Sequence, residues 1–452
     1  MRGGLLLFAL SGCAQTIRFN ECNRDDDCRN GDGGQLWCTS DHICVNQLPE
    51  EKLCPETIGS DAPGALVIGV LSDHGIPSDQ TMVQAVELAI GEINLRQPGA
   101  SQPPIRAYLC DTASDRDQSL RAAQRAIGIY HAVALIGPNT SDGVVAVNSY
   151  IRSSGTLVIS PSATAIDVSS LADDGLVWRT APPDSLQAEV LAAKIKAAVV
   201  AQGAATKLDL VYVNTVYGQG LQVVFKAKYL GIGGPSLGLV SAFSQSSELP
   251  KVIGDIALDA PTHLLVIADT DDPEIVSLLA QPQQLATTKV YMTDAAQTQA
   301  LLDRPSAVLA RIRGTAPALP DGATFTNFQA AFISKYHVDP KTTAFVANAY
   351  DAAYLVALAA AATKGHLPNG HELVAGLGRL QGAGSVLPVG PASYIEALNR
   401  MVAGGVRLEG TSGPLEFNAQ GDPMKGQYDY WCILTGGGAP EFSSDPQKCP
   451  AL

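Results

Sequence analysis

The sequence predicts an α/β protein of two lobes, each a parallel sheet covered by helices. Short apolar runs of strand length alternate with segments of helical spacing, and this alternation occurs in two consecutive series. Small polar turns follow several of the strands, as expected where an open sheet binds a ligand. The chain of 452 residues is also too long for one compact core, which favours two or three domains.

The first series begins near Gly64 with a continuous apolar run over residues 65–71. The segment that follows places Met82, Val86 and Ile90 on one face of a helix. The predicted elements are strand 65–71, helix 80–94, strand 105–109, a helix after Ser114, strand 134–136, helix 141–152 and strand 156–159.

The second series begins after Pro182-Pro183. Its predicted elements are helix 185–200, strand 208–213, helix 221–230, strand 237–240, helix 249–257, strand 263–267, helix 273–280 and strand 289–292. Helices are predicted at 325–336, 345–362 and 394–402, and the chain closes with a hairpin-like pair, 414–417 and 428–434, around the turn 418–422.

Composition and charge narrow the functional classes. With 46% hydrophobic and 16% charged residues the chain is globular, and disorder is excluded as the dominant state. A formal charge of −14 without a basic patch argues against a nucleic-acid partner. No apolar run of about 18 residues is present to span a bilayer.

The first residues, MRGGLLLFALSGC, resemble an export signal. Leu10-Ser11-Gly12-Cys13 matches the lipobox of bacterial lipoproteins, which predicts a signal peptide over 1–12 and a lipid on Cys13. An ordinary signal peptide is the alternative. Ala14 favours the outer over the inner membrane, so we expect a lipid-anchored lipoprotein of the cell envelope facing the periplasm.

Cysteine usage supports export independently. Without Cys13, eight of the nine cysteines remain, and an even number suits an oxidising compartment. The disulfide candidates are Cys22, Cys28, Cys38, Cys44, Cys54, Cys110, Cys432 and Cys449. The first four can close two bridges in an order that the sequence leaves open, within a Cys-rich module and linker over 13–63. Cys54 is then free to form a disulfide with Cys110, and Cys432 could pair with Cys449. Zinc and calcium are disfavoured, since no C-x-x-C pair and no EF-hand pattern is present.

The stretch from 134 to 164 is a βαβ unit whose strands end in polar turns, 137–143 and 160–164. In a parallel sheet both turns lie at the same edge. Hydroxyls and the backbone amides at a helix start bind anionic groups such as a carboxylate. We therefore expect Ser141, with the backbone amides of Asn139 and Thr140, at a ligand site. The alternative is that such hydroxyls only cap helices.

Six motifs, in order along residues 64–435, carry a resemblance to type I periplasmic solute-binding proteins of the branched-chain amino-acid class and to related receptor domains. They are GVLSDHG (69–75), CDTASDRDQ (110–118), IGPNTS with VISPSAT, VYGQGL (216–221), AYDAAYLVALA (349–359) and GTSGPLEFNAQGDP (410–423). The resemblance implies two Rossmann-like lobes joined by three crossovers that close on a ligand. It places lobe 1 at 64–181 plus 322–408 and lobe 2 at 182–321 plus 409–452.

The same resemblance implies binding roles for Ser162 and Thr164, which match the positions that hold a ligand's carboxylate and ammonium. On the other lobe Tyr217 matches the family's cleft tyrosine, and Asp294 lies near its ammonium-binding acid. Thr270 and Asp271 are weaker candidates. Tyr217 packing between lobes and Asp294 capping a short helix are the alternatives to these roles.

The loop 72–78 offers no ring larger than the imidazole of His74, although many family members place an aromatic side chain over the ligand there. This departure favours a smaller or more polar ligand. The sequence lacks the GxSxG motif of serine hydrolases and the Walker phosphate loop, and His371-Glu372 is not followed by the second histidine of a zinc protease helix. We therefore expect neither an enzyme nor a bound cofactor.

The leading hypothesis is a lipid-anchored solute-binding protein that captures a small polar ligand, an amino acid or related amide or organic acid, for ABC-type uptake. The alternatives are an envelope sensor with a signalling partner and a structural envelope protein that has lost its ligand.

Overall fold

A computed structural model describes residues 21–28, 36–96, 102–203, 206–268, 273–363, 366–436 and 438–449. The predicted signal peptide, Cys13, Thr270 and Asp271 lie outside this range. The described residues up to Leu53 form one compact unit, and those from Cys54 onward form a second. Within the described residues no helix is both long and apolar enough to cross a membrane.

The N-terminal unit is held by two disulfides, Cys22–Cys38 and Cys28–Cys44, which settle the pairing that the sequence left open. Its two short strands, β1 (Trp37–Cys38) and β2 (Cys44–Val45), pair antiparallel. Asp25, in the acidic run 25–27, forms a hydrogen bond within this unit: its carboxylate accepts the backbone N–H of Cys38 at 2.8 Å. A unit of this size buries little apolar surface, so the disulfides supply much of its stability.

The first sheet has six strands in the order β3-β5-β4-β6-β7-β8, parallel except for β3. The disulfide Cys54–Cys110 joins the residues before β3 to β5. The elements are β3 (Glu56–Gly59), β4 (Leu66–Ser72), α1 (Pro77–Leu95), β5 (Ile105–Asp111), α2 (Arg116–Gly128), β6 (Ala134–Ile136), α3 (Ser141–Ser154), β7 (Leu157–Ser160), α4 (Ile166–Ser169) and β8 (Val177–Arg179).

The second sheet has seven strands in the order β10-β9-β11-β12-β13-β17-β18. Strand β17 (Tyr428–Leu434) pairs antiparallel with β13, and β18 (Glu441–Ser443) pairs antiparallel with β17. Its elements up to β13 are α5 (Asp184–Gln202), β9 (Leu208–Val213), α6 (Val216–Gly231), β10 (Val240–Phe243), α7 (Leu249–Asp259), β11 (His263–Ile267), α8 (Pro273–Ala280), β12 (Lys289–Met292), α9 (Gln299–Leu302), α10 (Ser306–Leu309) and β13 (Ile312–Pro317).

The chain then returns to the first lobe before it completes the second sheet. The elements are α11 (Ala323–Tyr336), α12 (Val346–Ala361), α13 (Gly370–Leu377), β14 (Val386–Pro388), α14 (Tyr394–Ala403), β15 (Arg407–Gly410), β16 (Gly413–Pro414), β17 (Tyr428–Leu434) and β18 (Glu441–Ser443). Helix α12 is buried along its whole length in the core around the first sheet. Crossovers before α5, before α11 and between β16 and β17 confirm two α/β lobes joined three times.

The predicted closing hairpin is wrong. Strand β16 pairs with β15, whereas β17 pairs with β13 and β18. The strand β13, IRGTAP, lacks the apolar run that marks its neighbours, so the nearest segment was the one partner for β17 that local patterns indicated. The disulfide Cys432–Cys449 joins β17 to the C-terminal tail. The strand predicted at 237–240 also differs from the structure, in which β10 runs from Val240 to Phe243.

Candidate functional site: a cavity between the lobes

A cavity of about 780 Å³ lies between the two lobes, at the carboxyl ends of strands from both sheets. The six residues predicted for ligand binding all line it: Thr140, Ser141, Ser162, Thr164, Tyr217 and Asp294. A volume of this size is within the range of small-molecule sites.

The N-terminus of α3 forms one wall. Thr140 is its N-cap, and the hydroxyl oxygen accepts the amide N–H of Gly143 at 3.1 Å, so the capping alternative holds for this residue. The buried hydroxyl of Ser141 accepts the amide N–H of Ala165 at 3.2 Å and joins this turn to the next one. Because the first turn of a helix leaves N–H groups without helical partners, this wall suits an anion.

The turn after β7 forms the adjoining wall. Ser162 donates its hydroxyl to the carbonyl of Asn139 at 2.8 Å, and Ala163 donates its amide to the Ser160 hydroxyl at 3.1 Å. The carbonyl of Thr164 accepts the amide of Asp184 at 2.9 Å. The Thr164 side chain is therefore held at the cavity by a turn whose backbone is bonded on both sides.

Tyr217 and Asp294 form the opposite wall, on the second lobe. The Tyr217 hydroxyl lies 2.6 Å from Asp294 Oδ1 and 2.7 Å from the hydroxyl of Thr293. The Asp294 carboxylate also accepts the Ala295 amide at 2.9 Å and the Tyr428 hydroxyl at 3.3 Å. Burial raises the pKa of Asp294, while the hydrogen bond from Tyr217 lowers it. Tyr217 thus contacts Asp294 rather than serving only as packing between the lobes.

Asp184 is a second buried acid that sequence reasoning missed. It is the first residue of α5, directly after Pro182-Pro183, a position that indicated only a helix start. Burial raises the pKa of Asp184 well above its ordinary value, and the neighbouring charge of Asp294 raises it further. The charge of Arg179 lowers the pKa of Asp184 in part, and of the two acids Asp294 is the one that lines the cavity.

Apolar side chains complete the cavity, including Ile76, Met82 and Val213. The loop 72–78 supplies no aromatic ring, as its sequence requires, but Phe243 at the end of β10 and Phe345 before α12 do line the cavity. Phe345 has a φ of 67°, which is uncommon for a side chain of this size. No motif marked either phenylalanine, because each lies at an element boundary far along the chain.

Comparison with known proteins places this architecture. The model of the receptor family ligand binding region matches residues 81–433. The chain belongs to this family. It is 33% identical over 180 residues to the Leu/Ile/Val-binding protein BraC3 of Rhizobium johnstonii, a match that covers 39% of this chain and 44% of that protein.

Solved structures of solute-binding proteins share the fold. A leucine binding protein, LivK, from Thermotoga maritima has a TM-score of 0.66 at 18% identity, covering 84% of this chain and 98% of its own. A solute binding protein of an ABC transporter from Rhodopseudomonas palustris BisB5, in complex with 3,4-dihydroxy benzoic acid, has a TM-score of 0.65 at 15% identity, covering 84% and 95%.

In this family member one carboxylate bridges the two lobes beside the cavity. Asp142, in the first turn of α3, accepts the amide N–H of Val216 at the start of α6 at 2.9 Å. Its other oxygen lies 3.3 Å from the guanidinium of Arg116. The N-termini of α3 and α6 are therefore linked directly, in a contact that sequence reasoning did not anticipate.

Proposed function

We propose that the protein is a lipid-anchored, extracytoplasmic solute-binding protein that captures an amino acid, or a related amide or organic acid, by hinge closure for ABC-type uptake. The observation that carries the proposal is the polarity of the cavity. A helix N-terminus with hydroxyls lies on one lobe, and the buried carboxylate of Asp294 lies on the other.

This polarity matches the two ends of an amino acid. The ligand's carboxylate would bind at the start of α3, beside Ser141, Ser162 and Thr164, where the first helical turn has N–H groups without helical partners. Its ammonium would lie between Thr164 and Asp294, and its side chain would contact Phe243 and Phe345. Leucine, isoleucine and valine are the first compounds to test, since the relative from Rhizobium johnstonii is named for them.

Thermal unfolding of the exported protein tests the proposal against these three amino acids, glutamine, benzoate and 3,4-dihydroxybenzoate. A compound at 100 times its dissociation constant stabilises the folded state by about 2.7 kcal/mol. An intact fold that none of these compounds stabilises would contradict the proposed ligand class.

Two variants test the assigned ends of the ligand. Thr164→Val removes a hydroxyl at the cavity, and Asp294→Asn removes the charge expected to bind an ammonium. Both should abolish stabilisation by an amino acid, whereas Asp294→Asn should spare stabilisation by benzoate, which has no ammonium. Thr326→Val and Asp303→Asn, at exposed positions outside the cavity, are matched controls.

The lipid anchor is supported by the tetrapeptide that ends at Cys13. Cys13→Ser should leave the protein unlabelled by radioactive palmitate and shift it from the membrane to the soluble fraction of the envelope. Palmitate labelling that persists in this variant would exclude Cys13 as the site.

A further inference from the structure

Arg179 is a buried arginine at the end of β8, directly before the first crossover, with 1% of its side chain exposed. Its guanidinium donates from Nε to Asp422 Oδ1 at 2.6 Å. Nη1 donates to the carbonyls of Ala163 at 3.1 Å and Ala165 at 2.9 Å, and Nη2 donates to the hydroxyl of Ser169. One side chain thus binds two segments that are far apart in sequence.

The two carbonyls are those on either side of Thr164. The amide groups of Ala163 and Ala165 are fixed separately, by the hydroxyls of Ser160 and Ser141. Arg179 therefore supplies the donors for the carbonyl side of the same turn, the one that carries Thr164.

The other end of the contact lies in the third crossover, between β16 and β17. There Asn418 Oδ1 accepts the amides of Gln420 and Asp422, both at 2.9 Å, which closes a tight turn. The carbonyl of Gly421 also accepts the backbone N–H of Arg179 at 3.1 Å. Gly421 has a φ of +76°, and a Cβ there would lie 2.7 Å from the carbonyl oxygen of Val177, so this close approach requires glycine.

Only a guanidinium fits these partners. Its planar group points several N–H donors in fixed directions, whereas the ammonium of lysine cannot reach a carboxylate and two carbonyls in that arrangement. A buried cation also requires a paired anion, which Asp422 provides. Arg179 and Asp422 together link the turn 162–165 to the turn 418–422.

We propose that Arg179 is a positioning residue that fixes the turn 162–165 of the cavity relative to the third crossover, so that movement of the hinge is transmitted to Thr164. That this turn contacts a ligand rests on the proposed function, but the mechanical link does not.

Amide hydrogen exchange of the ligand-free protein tests the link. In Arg179→Lys the amides of residues 162–165 and 418–422 should exchange at least about tenfold faster, while those of β4 and β6 stay unchanged. A residue that merely stabilises the lobe would accelerate exchange in those strands as well. Arg152→Lys is the matched control, because Arg152 is a half-exposed arginine of the same lobe that is paired with Asp174.

Asp422→Asn provides a second test, since it keeps the backbone N–H that residue 422 donates to Asn418 but removes the charge that pairs with Arg179. In the wild type the two turns should also open together, with the same denaturant dependence of exchange. Exchange that is unchanged in both variants, uniform acceleration across the lobe, or independent opening of the two turns in the wild type would each overturn the proposal. Because no ligand is present, these outcomes are separate from a failure to find a binding amino acid.

Discussion

The contact between Asp142 and the amide of Val216 predicts how strongly the empty protein favours a closed cleft. Replacing Asp142 with alanine removes a hydrogen bond between the lobes in which one partner is charged, and such bonds contribute about 1.5–3 kcal/mol. The pair with Arg116 lies on the first lobe alone, is half-exposed on the arginine side, and contributes about 0–1 kcal/mol to either state. We therefore expect Asp142→Ala to reduce the ratio of closed to open molecules at least about tenfold.

Pulsed electron paramagnetic resonance between spin labels at Gln124 on α2 and Ala227 on α6, both exposed, measures this ratio as a distance distribution. The variant should show a larger population at long distances. Asp174→Ala is the control, since Asp174 forms an exposed ion pair with Arg152 within one lobe and should leave the distribution unchanged. Equal distributions for the wild type and Asp142→Ala, or an equal change in the control, would refute the reasoning.

Two further predictions concern stability. Gly314→Ala should lower the free energy of unfolding by about 1–3 kcal/mol in urea titrations, because its Cβ would lie 2.1 Å from the buried ring of Trp431. Gly254→Ala is the control and should not lower the free energy of unfolding, since a Cβ at this exposed helix position would have no atom within 4 Å. Burial raises the pKa of Asp351 from 3.8 to about 6 although Thr411 and Ser412 donate to it. Protons then bind the folded state more tightly, so the contribution of Asp351 to stability is greatest below pH 4 and falls by about 3 kcal/mol as the pH rises through 6. The fall should be about 3 kcal/mol smaller in Asp351→Asn, in which only the other buried acids still contribute; a fall of unchanged size in that variant would assign the dependence to those groups.

The cleft was predictable because parallel strands bring their carboxyl ends to one edge. The turns at Ser141 and Thr164 follow two adjacent strands, β6 and β7, so their meeting follows from topology once the alternation of strands and helices is recognised. Tyr217 and Asp294 came from resemblance alone, since nothing in their local sequence distinguishes a cavity residue from a helix start.

The rest was not predictable because it depends on long-range pairing. Arg179 and Asp422 are 243 positions apart, and each looks locally like a polar residue at the end of an element. Strand β13 has no apolar run, yet it determines where β17 lies. Local periodicity records which face of an element is buried, but it does not record which distant segment covers that face.

The electrostatics of the cavity lead to a final prediction. Asp184 and Asp294 are buried near one another, and burial raises the pKa of both. An ammonium in the cavity lies beside Asp294 and stabilises its ionised form, so binding of an amino acid should release protons wherever this carboxyl group is partly protonated. Affinity for the amino acid should then rise with pH until Asp294 is ionised in the empty protein.

Calorimetry in buffers of different ionisation enthalpy counts the protons released. Benzoate has no ammonium to place beside Asp294, so its binding should release fewer protons and its affinity should rise less with pH. Asp294→Asn should remove most of the proton release on amino-acid binding. Equal proton counts for leucine and benzoate would show that Asp294 does not face the ligand, because the two compounds differ in charge at that end of the cavity.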